Sequence, residues 1–389
     1  MNSTTNQASE FEFPVIMHRE GRSGIFVPKI SLTSTAPPMN PAFYNPLGEY
    51  KRDVMVHMVS SYAVSFTNGV RFADILAGVG AGGIRVGNES RNVGRVFLND
   101  LNPNAMQLAS LSINQNGIGE KFTKSGEEAN FFLSNHSSRE ERFDIIDIDP
   151  FGSPTPYLDS ALRALNIGGI LCATSTDGQV LCGLYPNVSL RRYGGYSLNT
   201  DYCQEIAIRL MLGSLAFAAS RHNLGISPTF AHTEKHYTRI YAMVTDNSAD
   251  LDGRLGFISQ CNACPSRSVG PLMIGVCPDC RSTCKAAGPL WIGELFDLRI
   301  LTKAVELRPE GKLEQMFIAA REEVELPATF YVTDSITSLI GSSSVPIAYA
   351  IDSLKGLGYK SSRTILNKKG FRTDACTDDI IAVFLSFRD

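Results

Sequence analysis

Residues 71–83 read Arg71-Phe-Ala-Asp-Ile-Leu-Ala-Gly-Val-Gly-Ala-Gly-Gly83, in which an apolar run passes directly into a glycine-rich segment. The apolar run predicts a buried strand, and the glycines predict a tight turn into a helix, where a ligand can approach the backbone closely. Nucleotide, flavin and adenosyl cofactors all bind at such turns. The Gly-Lys-Ser/Thr ending of a phosphate-binding loop does not follow, so the sequence disfavours hydrolysis of ATP or GTP.

The alternation of short apolar runs with helical stretches continues from about residue 71 to about residue 244. This pattern is typical of a doubly wound α/β fold in which most strands are parallel. We predict strands at residues 71–76, 95–99, 143–149 and 169–174, and a further strand and helix between 121 and 135. The main helices are predicted at residues 103–116, 154–166 and 201–223, and a terminal antiparallel pair at 226–233 and 237–244.

The composition is that of a globular chain of 389 residues, of which 19% are charged and 43% hydrophobic. This length predicts two domains, or one large domain with an appendage. The net charge of −3 gives no indication of nucleic acid, so any basic surface must be local. No segment has the apolar length of a membrane span, and residues 1–10 are a polar tail unlike a signal peptide. We therefore expect a cytoplasmic protein, or a nuclear one in a eukaryote, with no membrane partner.

Acidic residues follow two further predicted strands at places where a cofactor would need them. Asp100 lies about twenty residues after the glycine-rich turn, where a carboxylate can accept both hydroxyls of a ribose. Its alternative role is to cap the helix that begins near Pro103. Glu128 follows the predicted third strand, where an adenine would lie, and its alternative is that of an exposed acid at a helix start.

The segment Asp149-Pro150-Phe151-Gly152 ends the strand predicted at residues 143–149. Its carboxylate and carbonyls can accept the N–H bonds of a planar amino group, and its aromatic ring can stack on the heterocycle. Proline contributes no N–H donor, although the segment alone also fits an ordinary turn. Because a parallel sheet brings the glycine turn, the two acids and this segment to one edge, the combination predicts an S-adenosylmethionine-dependent methyltransferase that modifies exocyclic amino groups.

Four cysteines form two Cys-x-x-Cys pairs, Cys261-Asn-Ala-Cys264 and Cys277-Pro-Asp-Cys280, with twelve residues between them. In a reducing compartment, clustered thiols favour a metal over disulfides. Two such pairs can supply the four sulfur ligands of a tetrahedral zinc ion, and a complete ligand set predicts a structural metal and not a catalytic one. Unrelated buried thiols are the alternative, and Cys284 is predicted to lie outside the set.

The chain resembles the tRNA (guanine(26)-N(2))-dimethyltransferases of archaea and eukaryotes from about residue 18 to about residue 372. The most specific matching segments are Phe43-Tyr44-Asn45-Pro46, Arg52-Asp53, Asp149-Pro150-Phe151-Gly152-Ser153-Pro154, Thr176-Asp177-Gly178, Leu181-Cys182-Gly183 and Gly288-Pro289-Leu290-Trp291-Ile292-Gly293. The resemblance implies an N-terminal segment with a substrate loop at residues 1–50 and a class I methyltransferase domain at 51–247. It also implies a C-terminal α+β domain at residues 248–389, which carries a zinc-ribbon-like insert and binds tRNA.

The resemblance further implies N2-methylation and dimethylation of a guanine at position 26 of tRNA, and leaves open whether a neighbouring guanine is also modified. Arg52 is then expected to hold the carboxylate of S-adenosylmethionine, and Asp100 its ribose. The other expected cofactor contacts are Glu128 and Ala129 at the adenine, and Asp74, Gly78 and Gly80 in the glycine-rich turn. Two positions depart from the family pattern: Gly82 stands where an arginine is usual, which leaves the work to Arg85 or to backbone N–H groups, and Glu128 replaces an aspartate.

The substrate side of the site is also implied by the resemblance. Asp149 would engage the guanine amino group with help from the carbonyl of Pro150, while Phe43 and Phe151 hold the extruded base. Without the resemblance, Phe43 reads as a loop aromatic that packs on the core, and Arg52 as a surface charge at a helix start.

A basic stretch near the C-terminus is the predicted tRNA contact. It contains no acid between its ends and comprises Lys355, Lys360, Arg363, Lys368, Lys369 and Arg372. A solvated charged face is the alternative reading. Two other functions stay open, a DNA amino-methyltransferase and a non-catalytic RNA-binding zinc protein. The sequence gives no indication of a protein partner.

Overall fold

The computed structural model describes residues 11–234 and 237–387. The polar tail predicted at residues 1–10 lies outside these ranges. The described chain begins with a hairpin of β1 (Val15–Glu20) and β2 (Ser23–Pro28). The short helix α1 (Ile30–Thr33) and the longer helix α2 (Glu49–Ala63) follow.

Strands and helices then alternate as the sequence pattern predicts. The strands are β3 (Val70–Asp74), β4 (Val93–Asn99), β5 (Phe122–Ser125), β6 (Phe143–Ile148), β7 (Leu165–Ser175), β8 (Gly225–Glu234) and β9 (Tyr237–Thr245). The helices are α3 (Ala81–Glu89), α4 (Pro103–Asn116), α5 (Ala129–Asn135), α6 (Leu158–Ala164), α7 (Gly178–Leu181), α8 (Pro186–Tyr193) and α9 (Cys203–Arg221).

These seven strands form one sheet in the order β5-β4-β3-β6-β7-β9-β8. β3 pairs in parallel with β4 and with β6, β4 with β5, and β6 with β7, whereas β8 and β9 are antiparallel. This topology confirms the predicted doubly wound sheet. Because the parallel strands point the same way, the loops that follow β3, β4, β5 and β6 all leave from one edge of the sheet.

Local sequence explains why these elements form where they do. Every apolar residue of β6 is buried, as expected for a parallel strand covered on both faces by helices. Helix α4 starts at Pro103, and the side chain of Asn102 accepts the N–H groups of Asn104 and Ala105. The helix ends at Asn116, and the next residue, Gly117, caps it with a φ of 66°, which suits glycine.

Two neighbouring predicted elements are wrong in their extent. The helix expected over residues 154–166 is a 3₁₀ turn at Thr155–Tyr157 followed by α6, which ends at Ala164, and the strand expected over 169–174 is β7, which begins at Leu165. Leu165 already pairs with Phe143 in the sheet, so the chain becomes strand two residues earlier than its helical pattern predicts.

Residues 255–387 form two small sheets and five helices, as expected for an α+β region. The first sheet has the order β11-β10-β12 and the second the order β13-β15-β14. The strands are β10 (Leu255–Cys261), β11 (Arg267–Gly270), β12 (Cys284–Trp291), β13 (Tyr331–Val332), β14 (Ser361–Thr364) and β15 (Asn367–Thr373). The helices are α10 (Leu298–Glu306), α11 (Lys312–Glu323), α12 (Thr333–Ile340), α13 (Ile347–Gly356) and α14 (Thr377–Ser386). Leu354, Phe371 and Phe384 form the centre of a core in this region.

Contacts within the chain divide it into two compact units. The first contains Met1–Pro150, Tyr157–Ala173 and Lys303–Leu313, and the second contains Phe151–Pro156, Thr174–Thr302 and Glu314–Asp389. The domain boundaries predicted after residues 50 and 247 stay predictions. Within the described ranges, no helix has both the length and the apolar character needed to cross a membrane.

Candidate active site

The glycine-rich turn after β3 has a backbone conformation that requires its glycines. Gly78 and Gly80 have φ values of 54° and 77°, a region that favours glycine. A Cβ atom at Gly78 would lie 3.1 Å from the carbonyl oxygen of Phe43, so the backbone of Phe43 lies against the turn. The amide of Gly80 donates to the carbonyl of Ala77 at 2.8 Å, which closes the turn just before α3.

Asp100 follows β4 and joins this turn. One carboxylate oxygen accepts the amide of Gly78 at 2.7 Å, and the other accepts the amide of Asn102 at 2.9 Å. The capping role considered for Asp100 is wrong, because Asn102 caps α4. A carboxylate offers about four acceptor positions, so Asp100 can still accept two further hydroxyl groups.

The side chain of Asn99 connects the segments that follow β3 and β5, a role that the sequence did not predict. Its side-chain amide donates to the carbonyls of Ile75 at 3.1 Å and Glu127 at 2.9 Å, and its oxygen accepts the amide of Glu127 at 3.0 Å. Asn99 is buried, so these bonds fix the segments that follow β3 and β5 relative to each other. The only signal in the sequence is a polar residue at the end of an apolar strand.

The residues predicted to meet the adenine start α5. The exposed side chain of Glu128 caps this helix by accepting the amide of Phe131 at 3.0 Å, and it also accepts from Asn130 at 3.2 Å. Ala129 is the first residue of the helix and is buried. Glu128 therefore plays the structural role of a helix-start acid, while contact of Glu128 and Ala129 with an adenine stays a prediction.

Arg52 lies in α2 and is 9% exposed, which excludes the reading of a surface charge. Glu20, at the end of β1, accepts from its Nε at 2.5 Å and its Nη2 at 3.0 Å, and Tyr44 donates to the same carboxylate at 2.8 Å. Burial alone would raise the pKa of Glu20, but the charge of Arg52 and the bonds from Arg52 and Tyr44 lower it below its ordinary value. The Nη1 group of Arg52 meets no acceptor in the described part of the chain and is available to a ligand carboxylate.

Arg85 does not take over the role of the arginine that the family usually has at the position of Gly82. Its buried guanidinium contacts Glu20 at 3.1 Å, Asp53 at 2.7 Å and Glu89 at 3.0 Å. A Cβ atom at Gly82 would lie 3.0 Å from the Cε of Met55, so this position has little room for a side chain. Of the two candidates for the missing contact, backbone N–H groups of the turn are therefore the better one.

Carboxylates are concentrated at the carboxyl edge of β3 and β6. Asp74 ends β3 and is buried, and its pKa is raised well above the ordinary value by burial and by the negative charges of Asp147, Asp149 and Asp100. One of these carboxylates has a cationic partner, because the Nζ of Lys51 forms a salt bridge with Oδ2 of Asp149. Their side chains are 16% and 30% exposed, so Asp149 is partly open to solvent.

The remaining residues of the acid–proline–aromatic segment differ in exposure. Pro150 is buried, whereas the Phe151 side chain is 58% exposed. Gly152 has a φ of 78°, and its amide and carbonyl bond to Thr176 Oγ1 at 2.7 Å and Thr176 N at 2.9 Å. Thr176 thus fixes the end of the segment. Phe43 is half-buried, and its pairing with Phe151 around one base stays a prediction.

The four predicted metal ligands lie together. The sulfur atoms of Cys261, Cys264, Cys277 and Cys280 are all within 4.8 Å of one another. Cys261 and Cys280 approach to 3.4 Å, and Cys264 and Cys277 to 3.7 Å. Ligands of a tetrahedral zinc ion with Zn–S bonds of about 2.3 Å lie about 3.8 Å apart, so the arrangement fits this ion. Cys284 is not a member of the cluster.

Backbone N–H groups point at sulfur atoms of this cluster. The amides of Ala263 and Cys264 point at the sulfur of Cys261, at 3.3 and 3.4 Å. The amide of Cys280 lowers the pKa of Cys277 to about 6. A bond from the Ser282 side chain lowers the pKa of Cys280 as well, whereas burial raises the pKa of Cys264. Thiolates are the form that binds metal, so it is the second knuckle that favours the metal-binding form.

The basic stretch near the C-terminus is exposed except at its last member. Lys355, Lys360, Arg363, Lys368 and Lys369 are exposed, and two of them pair with the exposed acids Glu325 and Asp334. Arg372 is 3% exposed, and its guanidinium contacts the buried carboxylates of Glu205 at 2.9 Å and Glu323 at 2.5 Å. The prediction that Arg372 contacts tRNA is wrong, because this charge is neutralised inside the protein.

Comparisons with known proteins show the family of this chain. The sequence model of a family described as N2,N2-dimethylguanosine tRNA methyltransferase matches residues 21–385. A tRNA (guanine(26)-N(2))-dimethyltransferase of Methanothermobacter thermautotrophicus is 32% identical over 380 residues, which cover 94% of this chain and 97% of the relative. That of Methanosarcina acetivorans is 33% identical over 378 residues, covering 92% of this chain and 95% of the relative.

A solved structure is similar over the same length. Trm1 from Pyrococcus horikoshii, in complex with S-adenosyl-L-methionine, aligns with a TM-score of 0.81 and 27% identity, covering 95% of this chain and 99% of that one. The family match covers nearly the whole chain, and the fold and the acidic edge of the sheet are consistent with it. This protein therefore belongs to the N2,N2-dimethylguanosine tRNA methyltransferase family and is a tRNA guanine methyltransferase.

Proposed function

We propose that this enzyme transfers two methyl groups, one after the other, from S-adenosylmethionine to N2 of guanine 26 in tRNA. The relatives named above are described as enzymes that act on this guanine, and the Pyrococcus horikoshii protein was solved with this cofactor. The observation that carries the proposal is the placement of Asp149, partly exposed and paired with Lys51, at the same sheet edge as the turn braced by Asp100.

On the cofactor side, the residues present fit S-adenosylmethionine. Arg52 would bind its carboxylate through Nη1, since Glu20 already holds Nε and Nη2 in place. Asp100 would accept the ribose hydroxyls, and Glu128 and Ala129 would lie at the adenine. When bound, the cofactor supplies an activated methyl group on a sulfonium, so the protein's task is to position and polarise the acceptor.

On the substrate side, Asp149 makes the guanine amino group more nucleophilic. The lone pair on N2 is delocalised into the ring, which makes this nitrogen a poor nucleophile. An N–H bond accepted by Asp149, with the carbonyl of Pro150 as a second acceptor, favours a nitrogen whose lone pair points at the methyl group. N2 gains the methyl and loses one proton to the carboxylate. The monomethylated amine then has one N–H left for the second transfer.

The ribose contact gives the first testable prediction. Asp100→Ala should weaken binding of S-adenosylmethionine by roughly 100-fold, because hydrogen bonds to a charged acceptor contribute about 1.5–3 kcal/mol. Titration calorimetry measures this directly. Glu120→Ala removes an exposed acid of the same unit and should leave the affinity unchanged. Equal cofactor affinity in both variants would argue against the role of Asp100.

A guanine stacked inside tRNA must be extruded before it can reach this edge, which costs a few kcal/mol. Contacts to the phosphate backbone offset such a cost, and the exposed cations of the C-terminal region are the candidates. We propose that Lys355, Lys360, Arg363, Lys368 and Lys369 supply them. Zinc bound by the four cysteines would have a structural role, because its ligand set is complete.

Neutralising part of this basic stretch should weaken tRNA binding and its dependence on salt. The triple variant K355Q/R363Q/K368Q should reduce the slope of log K against log[salt] by about 2–3, since each phosphate contact adds about 0.7–0.9 to the slope. Filter binding at several salt concentrations gives this slope. The control R91Q/R95Q/R139Q makes the same charge change at exposed positions on the amino-end side of the sheet. Identical slopes in the two triple variants would contradict the assignment.

The substrate class is tested by transfer of labelled methyl groups. Incubation with S-adenosylmethionine should label unmodified tRNA, and a tRNA with adenine at position 26 should take up little or no label. Duplex DNA should not be labelled. Label in the DNA and not in the tRNA would replace the proposal with the alternative of a DNA amino-methyltransferase.

A further inference from the structure

Asp177 is the central residue of Thr176-Asp177-Gly178, and none of the roles described above uses it. It follows β7, which pairs in parallel with β6, so the segments after these two strands leave the sheet at the same edge. An acid that precedes a helix commonly caps it. However, no cap bond joins the side chain of Asp177 to α7, which lies wholly within the described residues. Capping therefore does not explain this carboxylate.

The side-chain donors that reach the carboxylate of Asp177 meet the same oxygen. Oδ2 accepts from the hydroxyl of Tyr193 at 3.1 Å and from Nη1 of Arg192 at 2.7 Å. Tyr193 is buried, and burial raises its pKa, so its hydroxyl stays a donor. The amide of Asp177 donates to Oγ of Ser175 at 3.1 Å, which fixes the backbone. Within the described ranges Oδ1 has no donor, although the side chain that carries it is held in place.

This unpaired oxygen lies beside the loop that carries Phe151. The amide of Thr176 donates to the carbonyl of Gly152 at 2.9 Å, and Oγ of Ser175 donates to the same carbonyl at 3.1 Å. A Cβ atom at Gly152 would lie 3.5 Å from Oδ1 of Asp177. Only 14% of the Asp177 side chain is exposed, and a hydrogen bond to a sheltered acceptor is stronger than one in open water. Oδ1 is thus an available acceptor next to the residue that follows Phe151 in the chain.

The Watson–Crick edge of guanine carries two kinds of donor side by side. N2 carries the amino group that is methylated, and the neighbouring N1 carries one N–H. Enzymes that extrude a base read it through hydrogen bonds to this edge. A carboxylate oxygen can accept the N1–H of guanine, whereas in adenine it would face the lone pair of N1. An acceptor at this place therefore selects guanine without taking part in the methyl transfer.

We propose that Asp177 is a specificity residue whose Oδ1 accepts the N1–H of the extruded guanine. This inference rests on the proposed function, because it concerns recognition of the same base. Tyr193 and Arg192 position the carboxylate through Oδ2. Asp177 then acts on the choice of base and contributes little to binding of S-adenosylmethionine.

The test compares guanine with 2-aminopurine at position 26 of the same tRNA. 2-Aminopurine keeps the amino group but has a lone pair in place of the N1–H. It also lacks O6, a difference that is the same for every variant. The parent enzyme should prefer guanine by about 10²–10³ in kcat/KM, because a site that bonds a donor rejects an analogue without it. This ratio, measured with labelled S-adenosylmethionine, is the quantity to compare between variants.

Asp177→Asn should reduce this preference by at least about 10-fold, because the new amide can donate to N1 of 2-aminopurine. The donors Tyr193 and Arg192 turn the amide oxygen toward themselves, which leaves the NH₂ group at the place of Oδ1. Asp252→Asn makes the same change at an exposed position of the same unit and should keep the parental ratio. A parental ratio in Asp177→Asn would overturn the proposal. So would an equal loss of activity on both tRNAs, the result expected of a merely structural role.

Binding of tRNAs that carry no amino group on C2 at position 26 gives a second readout, which also serves an inactive variant. Hypoxanthine keeps the N1–H, whereas adenine lacks it. The parent should bind the hypoxanthine tRNA about 10-fold more tightly than the adenine tRNA, and Asp177→Asn should lose this preference. An equal preference in both proteins would overturn the role of Asp177.

Failure of the proposed function would give a different result from failure of this inference. If the parent enzyme methylated neither the guanine tRNA nor the 2-aminopurine tRNA, the proposed function would be wrong, and the role of Asp177 in it would fall as well. If the parent methylated the guanine tRNA and Asp177→Asn kept the parental preferences, the role of Asp177 alone would be wrong.

Discussion

Asp149→Ala should lower the rate of tRNA methylation by about 10²–10³ while binding of S-adenosylmethionine is retained, because one charged contact to the reacting group is lost. Asp149 lies at the end of β6 with a partly exposed carboxylate, whereas the residues assigned to the cofactor carboxylate and ribose lie on α2 and after β4. Single-turnover transfer of labelled methyl groups measures the rate, and calorimetry measures cofactor binding.

Asp149→Asn is the matched control for shape. It keeps the volume of the side chain but turns one acceptor into a donor and removes the charge that Lys51 neutralises. We expect a loss of turnover similar to that of alanine. Normal turnover in Asp149→Asn would show that charge at this position is not needed. Normal turnover in Asp149→Ala would contradict the assignment of the site.

Removing the proposed zinc ion should have the largest effect on stability. The segment from β11 to β12 exposes several apolar side chains, namely Val269, Leu272, Met273, Ile274 and Val276, so the part of this module around the four cysteines has little core of its own. Structural zinc sites contribute about 10–16 kcal/mol of apparent binding free energy in small zinc-binding peptides at neutral pH. We therefore expect chelation to unfold this module.

A single ligand substitution tests the same site without chelators. Cys277→Ser should lose the metal and at least about 3 kcal/mol of stability. For a region of this size, this loss lowers the Tm by roughly 6–12 °C. Thermal unfolding and elemental analysis provide the two readouts. Cys284→Ser removes a nearby thiol that is not in the cluster, and it should retain both metal and Tm. Matching behaviour of the two serine variants would contradict a four-sulfur zinc site.

Local patterns made the central sheet and the cysteine cluster predictable from the sequence. A pattern of only a few residues is enough to predict the glycine-rich turn, and the same holds for the strand that leads to Asp149. Each Cys-x-x-Cys knuckle is also a local turn that places its own two sulfurs. The helix over residues 154–166 was overextended because its helical pattern continues into residues that pair with β6 in the sheet.

Long-range partners account for what the sequence could not predict. Arg372 reads as one more cation in a basic stretch, and only its contacts to Glu205 and Glu323, far away along the chain, make it an interior residue. Glu20, which holds Arg52, and Lys51, which holds Asp149, are ordinary charged residues without a motif. Their roles follow from pairing across 32 and 98 positions of sequence.

The most direct test of the account is mass spectrometry of one unmodified tRNA after incubation with the enzyme and S-adenosylmethionine. Nuclease fragments that contain nucleotide 26 should gain two methyl groups, and the modified nucleoside should be N2,N2-dimethylguanosine, with almost none formed by Asp149→Ala. Methylation on another base or another atom of guanine, or full dimethylation by Asp149→Ala, would contradict the account.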